Sequence, residues 1–243
     1  MSRTPTCAMA IMAHPDDAEF TIAGTVAKWA HEGARIVYVL CTDGNVGSQE
    51  PGMTTENVAQ IRRAEQRAAC DVLGVDTVVF LGHGDGQLEP SLALRRELVA
   101  LLRQYQPEIV IASDPTRLFV EHRYVNHPDH RAAAMAALDA VAPACAMPLL
   151  WPELGAPHRV HKLYISSHSE PDTFVDISGT IELKIDALKR HASQMGDWDP
   201  GERIRDWAAS VGKPHGLAYA EAFYVIALER DEEDADTSSA DES

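Results

Sequence analysis

The chain has 243 residues, 45% hydrophobic and 24% charged, which is ordinary for a globular protein and enough for one large α/β domain with a real core. Its formal net charge is -16, which argues against nucleic acid as a partner, and no apolar run is long enough to insert in a membrane. The opening residues M-S-R-T-P-T-C lack the apolar core of a secretion signal, so a cytoplasmic protein is expected. The four cysteines, Cys7, Cys41, Cys70 and Cys145, form no CxxC pair and fit buried free thiols.

In chain order, apolar runs alternate with segments of helical period. Residues 8–13 predict a buried strand that ends abruptly in His14, Pro15, Asp16 and Asp17. Residues 18–32 read as a helix closing near Gly33, and 35–41 as a second strand. A turn-rich loop beginning T-D-G leads to a helix over 55–73, closed by Gly74. Residues 77–81 form a third strand, followed by G-H-G-D-G-Q. Leu94, Leu98, Leu101, Leu102 and Tyr105 share one face of the next helix. Residues 108–112 make a fourth strand, and a longer segment, 113–126, leads to H-P-D-H and a helix over 131–141.

The second half is less regular. It reads as a proline-rich surface loop at 143–160, strands at 162–166, 173–177 and 223–228, and a helix at 181–193. From Asp231 the tail carries seven acids and no base, and is expected to be disordered and solvating. There is no repeat and no linker, so residues 1–230 read as a single domain followed by an acidic tail, 231–243. The alternation of strand and helix predicts an α/β fold: a mainly parallel, doubly wound sheet with helices on both faces. Ligands of such sheets bind at the carboxyl ends of the strands, where every polar cluster above falls.

Two adjacent carboxylates at the end of a buried strand need compensation, and a cation is the obvious one. The spacing of His14 and Asp17 lets an imidazole and a carboxylate converge on one ion while Asp16 points elsewhere. The plain alternative is a helix N-cap, which would be the first choice for one isolated His-Pro-Asp-Asp. A second His-Pro-Asp, at His127 to His130, is harder to dismiss. Zinc hydrolases use three protein ligands and leave a fourth position to water, and the two elements supply such ligands with catalytic groups to spare.

Other residues have weaker signals. His31, His158, His161 and His168 read as solvated. His83 and Asp85 lie on the correct edge, either shaping a glycine turn or contacting substrate hydroxyls, with Asp85 ahead. Gly44 and Gly47 match no phosphate-binding pattern. Arg62 and Glu65 are either a surface ion pair or, for Arg62, a group that binds substrate. Residues 151–155 and 196–207 are candidate walls over the site, and Trp198 and Trp207 either stack on a sugar or simply pack.

These residues carry a likeness. Through A-H-P-D-D-A-E-F (13–20), T-D-G (42–44), R-R-A-E-Q-R-A-A (62–69), G-D-G-Q-L (84–88), N-H-P-D-H-R (126–131), K-I-D-A-L-K-R-H-A-S-Q (184–194) and E-A-F (221–223), the chain resembles the LmbE-like, or PIG-L, family of zinc-dependent de-N-acetylases. The resemblance spans roughly 8–228 and implies a Rossmann-like fold and hydrolysis of an N-acetyl group, often on a glucosamine-containing substrate. It implies His14, Asp17 and His130 as ligands of zinc or another divalent transition metal. Asp16 is then the general base, and His127 the oxyanion or leaving-group partner, protonated and oriented by Asp129. Arg62 and Asp85 match positions that contact substrate. A small amino-sugar substrate and a homo-oligomer are the expected partners. An amidase acting on a sugar-thiol conjugate, and a non-catalytic sugar-binding module, are the alternatives.

Overall fold

Strands covered on both faces are apolar along their whole length, and the central strands here follow that rule. In the computed structural model, which describes residues 3–120 and 124–229, β1 (Cys7–Met12) is buried at every position and β2 (Arg35–Thr42) at all but Arg35. β1 pairs in parallel with β2 on one side and β4 (Ile109–Ser113) on the other, and β3 (Thr77–His83) extends the sheet beyond β2. Two short strands that pair antiparallel with each other, β5 (Phe119–Val120) and β6 (Tyr124–Val125), follow β4. β7 (Lys162–Ser166) then continues the parallel sheet beside β4. β9 (Ala220–Ala227) runs antiparallel between β7 and β8 (Thr173–Asp176), giving the order β3-β2-β1-β4-β7-β9-β8.

The alternation of side chains along β1 builds two cores. Met9 and Ile11 join Val37, Val39 and Val110 under α4 (Leu92–Tyr105) and α5 (Pro128–Val141). Ala8, Ala10 and Met12 join Ile36, Tyr38 and Leu40 on the opposite face. That face is covered by α1 (Asp17–Thr21), α2 (Ala23–His31), α3 (Thr55–Leu73) and α6 (Ile181–Leu188). The chain order reverses about β1, so the crevice at the carboxyl ends of β1 and β4 is the expected ligand site.

Several boundaries differ from the sequence reading. The helix expected at 18–32 is two helices, interrupted at Ile22. The helix expected at 181–193 ends at Leu188 and restarts as α7 (Ala192–Met195), with His191 at the break. A helix not foreseen, α8 (Gly201–Gly212), begins within 196–207 and runs past it, and its Ile204 and Ala208 pack on Ile181 and Ile185 of α6. The proline-rich stretch 143–160 is anchored rather than loose. Arg103 on α4 donates to the carbonyls of Cys145, Met147, Leu150 and Trp151 at 2.7–3.2 Å, which holds 151–155 against α4 and away from the crevice. All four cysteines are buried and free. Among the described residues no helix is long and apolar enough to cross a membrane. The acidic tail, 231–243, lies outside the described residues.

Candidate active site

The four polar clusters meet at one edge of the sheet. His14, Asp16, Asp17, Arg62, Asp85, His127 and His130 all line one pocket of about 350 Å³, and Asp129 lies fully buried beside it. The pocket joins a larger cavity of about 1030 Å³ through Asp17, Phe20, Tyr124 and His130.

The turn after β1 is held by Asp17, whose Oδ2 accepts from the amides of Ala13 (3.1 Å) and His14 (2.9 Å). Asp16 occupies the N-cap position of α1 but makes no capping bond with its side chain, so capping does not account for the pair. Its backbone is left-handed (φ 88°), a conformation that costs a non-glycine residue on the order of 1–3 kcal/mol. Arg62 secures it from α3, donating to Pro15 O (2.6 Å), Gly44 O (3.1 Å) and Asp16 Oδ2 (3.1 Å). Gly44 is required there. A Cβ at this position would lie 1.9 Å from the Arg62 guanidinium, and the backbone is left-handed as well (φ 61°). Arg62 and Glu65 therefore do not pair on the surface; Glu65 instead binds the amide and hydroxyl of Ser193 at 2.7 Å.

His14 Nδ1 lies 3.1 Å from His130 Nε2 and 3.7 Å from Asp17 Oδ2, and His130 Nε2 lies 3.0 Å from Asp17 Oδ1. The outer nitrogens fix the tautomers. His14 Nε2 faces Asp85 Oδ1 (3.0 Å) and Asp129 Oδ2 (3.3 Å), and His130 Nδ1 faces the amide oxygen of Asn126 (3.2 Å). Each outer nitrogen donates a proton to an oxygen, so a cation at the inner nitrogens would displace only the protons that Asp17 holds there. Three donors converging at this spacing fit a cation. The donor edge of a tetrahedral site with bonds of about 2.1 Å is about 3.4 Å. His127 also lies near, and a nitrogen from each of His14, His127 and His130 falls within 4.8 Å of the others.

The electrostatics match. Burial lowers the His14 pKa, but Asp17 and Asp85 outweigh it and push the group up to about 10. His130 is raised too, because Asp17 overcomes its burial. Burial would raise Asp17, yet His130 and His14 hold it well below the usual carboxylate range. Asp16 is raised to about 6, mainly by burial, with Arg62 opposing and Asp17 adding to the rise.

Asp129 is placed differently from the sequence expectation. Its carboxylate accepts from the amides of Gly86 (2.7 Å) and Leu88 (3.2 Å) and meets His14, not His127. Only its backbone N–H touches His127, donating to Nδ1 at 3.3 Å, so His127 caps α5 with its imidazole. Burial and the neighbouring His14 lower the His127 pKa. Nδ1 accepts from the Asp129 amide, which leaves Nε2 as the donor nitrogen, while the Asp129 carboxylate is engaged by His14 and two backbone amides. Arg62 and Asp85, expected to contact substrate, both line the pocket; Arg62 also holds the Pro15 and Gly44 carbonyls and Asp16, with its Nε unpartnered, and Asp85 faces His14 and the Val46 amide. His83 turns away to Glu97 (2.8 Å), whereas His168, expected to be solvated, stacks on Tyr224 and lines the large cavity. Trp207 lines the same cavity, and Trp198 stacks on Phe20. Gln66 and Asn126 carried no chemical signal of their own; only their i+4 spacing from Arg62 and to His130 points to them.

Residues 9–141 match the family model described as PIG-L, GlcNAc-PI de-N-acetylase. The chain belongs to this family. A diacetylchitobiose deacetylase of Thermococcus kodakarensis is 32% identical over 226 residues, covering 90% of this chain and 82% of that protein. A 1D-myo-inositol 2-acetamido-2-deoxy-alpha-D-glucopyranoside deacetylase of Rhodococcus erythropolis is 28% identical over 246 residues, covering 76% of this chain and 80% of its own. The solved structure of N,N'-diacetylchitobiose deacetylase from Pyrococcus horikoshii with its inhibitor MPG superposes with a TM-score of 0.84 at 30% identity, covering 92% of this chain and 84% of that one. This PIG-L family chain is thus an amide hydrolase, an N-deacetylase with the α/β fold of its relatives.

Proposed function

We propose that this PIG-L family protein removes the acetyl group from an N-acetylglucosamine unit of a larger amino-sugar substrate. The observation that carries the mechanism is Asp16, fixed in a strained backbone and raised to about 6, beside the His14, Asp17 and His130 donor set. A carboxylate with a raised pKa and a cation site next to it are the parts that amide hydrolysis by activated water requires.

His14 Nδ1, His130 Nε2 and Asp17 would hold a divalent transition metal, and zinc suits two imidazoles and one carboxylate. When bound, it supplies a Lewis acid that acidifies water and polarises an amide carbonyl. Asp16 takes the proton of the attacking water, with Arg62 on Oδ2 holding the carboxylate in place. The Nε2–H of neutral His127 donates to the oxygen that becomes negative in the tetrahedral intermediate. Asp16 then returns its proton to the departing amine, and acetate leaves. Asp85 and Asp129 keep His14 in the tautomer that offers Nδ1 inward.

The acetamide enters the small pocket and the rest of the substrate extends into the large cavity, where Phe20 and Trp207 offer apolar faces. That volume, and the glucosaminides named for the relatives, favour a conjugate or oligosaccharide over free N-acetylglucosamine. Acetate release should be assayed on N,N'-diacetylchitobiose, the inositol glucosaminide and free N-acetylglucosamine, beside metal content, for wild type and Asp16→Asn. The variant should keep about one metal and lose about a hundredfold or more in turnover. Unchanged turnover would remove Asp16 as the base.

A further inference from the structure

Three stretches that carry the family resemblance meet behind Asp16 at residues the mechanism leaves unused. Glu19 comes from A-H-P-D-D-A-E-F, Gln66 from R-R-A-E-Q-R-A-A and His191 from K-I-D-A-L-K-R-H-A-S-Q. All three side chains are fully buried. The Asp16 amide donates to Gln66 Oε1 at 3.1 Å. Gln66 Nε2 donates to Glu19 Oε1 at 2.9 Å and reaches Cys70 Sγ at 3.7 Å. Glu19 Oε2 lies 3.4 Å from His191 Nε2, at the break between α6 and α7.

The chemistry gives this chain a direction. A glutamine amide has one accepting and one donating end, and only the accepting end can satisfy the Asp16 N–H. Glu19 accepts from Nε2, which leaves Oε1 facing Asp16. His191 flanks the other oxygen of Glu19. Gln66 also stands one helical turn from Arg62, so α3 grips Asp16 twice: Arg62 holds the carboxylate and Gln66 the backbone. The residue gripped is the one with φ 88°.

We propose that Gln66, oriented by Glu19, is a positioning residue that holds Asp16 in its left-handed conformation and so aims the general base. This rests on Asp16 being the base, which Asp16→Asn tests separately. The experiment measures kcat and KM for acetate release from N,N'-diacetylchitobiose, metal content and thermal unfolding. The variants are Gln66→Met, Gln66→Glu, Glu19→Gln and the double exchange Glu19→Gln/Gln66→Glu.

Gln66→Met keeps the size and removes the acceptor. Its kcat should fall about tenfold to a hundredfold, as expected for a misplaced catalytic group, with KM and metal content unchanged. Gln66→Glu sets two carboxylates against each other. The double exchange restores donor facing acceptor and should recover most of the loss seen in Gln66→Glu. Should Gln66→Glu not fold, Gln66→Met decides alone. Wild-type kcat in Gln66→Met, loss of its metal, or a double exchange no better than Gln66→Glu would overturn the proposal. A dead Asp16→Asn beside a fully active Gln66→Met would refute the positioning role while leaving the base intact.

Discussion

The two His-Pro-Asp elements look alike as sequence and are used in opposite ways. In the first, residues 14–17, the leading His14 and trailing Asp17 face the donor cluster, while Asp16 stands apart in a left-handed backbone. In the second, residues 127–130, the trailing His130 enters the cluster. The leading His127 caps a helix, and the central Asp129 is buried against His14 and two backbone amides. The difference comes from the path of the backbone beyond each leading histidine. After His14 the chain must turn sharply out of a strand, and Asp17 folds back to bind that turn. After His127 it enters a helix at Pro128, so His127 and His130 lie one turn apart and both face the pocket. A shared motif therefore sets a carboxylate in a strained turn in one element and a helix-capping imidazole in the other.

That contrast can be broken most severely at the donors. Asp17→Ala should lose the metal, and acetate release should drop to background, whereas His127→Ala should keep the metal; elemental analysis of both decides. The reverse result would give the third ligand position to His127, which lies close enough to take it. Next in size, His127→Ala should lower kcat about a hundredfold to a thousandfold as an oxyanion donor is removed. A loss below tenfold would take His127 out of the chemistry.

Subtler changes sharpen the roles of the supporting acids. Asp129→Asn should weaken metal affinity about tenfold to a hundredfold, read by competition with a chelator, because His14 loses the carboxylate that orients it. Asp85→Asn should cost less, since Asp129 still faces the same nitrogen and Asp85 carries fewer backbone bonds. Equal affinities for Asp129→Asn and wild type would mean that Asp129 only ties down the Gly86 turn. The smallest effect is graded. As the proposed base, Asp16 must be deprotonated and stands at about 6 without a cation, so turnover should fall toward acid with a midpoint at or below about 6, approaching about tenfold per unit. A bound cation adds positive charge and moves that midpoint lower, never higher. A rate that fell only on the alkaline side would contradict the assignment.

Much of this was legible in the chain. The apolar runs at 8–13, 35–41 and 108–112 became three adjacent parallel strands, β2-β1-β4, because burial on both faces leaves little room for polar residues there. The four polar clusters had to share an edge because parallel strands present their carboxyl ends together. Less was legible where the signal depends on a distant partner. The 181–193 segment has helical composition throughout, yet it breaks at His191, where a buried imidazole meets Glu19 from the other end of the chain. The 196–207 stretch was read for its tryptophans, although its helical face closes only against α6.

The sequence by itself determined the α/β alternation and the edge on which the polar clusters fall, because strand period, turn chemistry and residue type are local properties, and its family resemblance singled out the eight residues that gather there. Only the tertiary structure decided which atom each of them presents. His14 and Asp129 are 115 residues apart in the chain and 3.3 Å apart in space, and with Asp85 at 3.0 Å that contact occupies Nε2 and turns Nδ1 toward His130. Arg62 and Gln66 read as a charged and a neutral residue on a helix until α3 packs beside the β1 turn and both close on Asp16. Hydrogen-bond direction, burial and backbone strain arise from groups brought together by folding, and local sequence pattern carries no record of them.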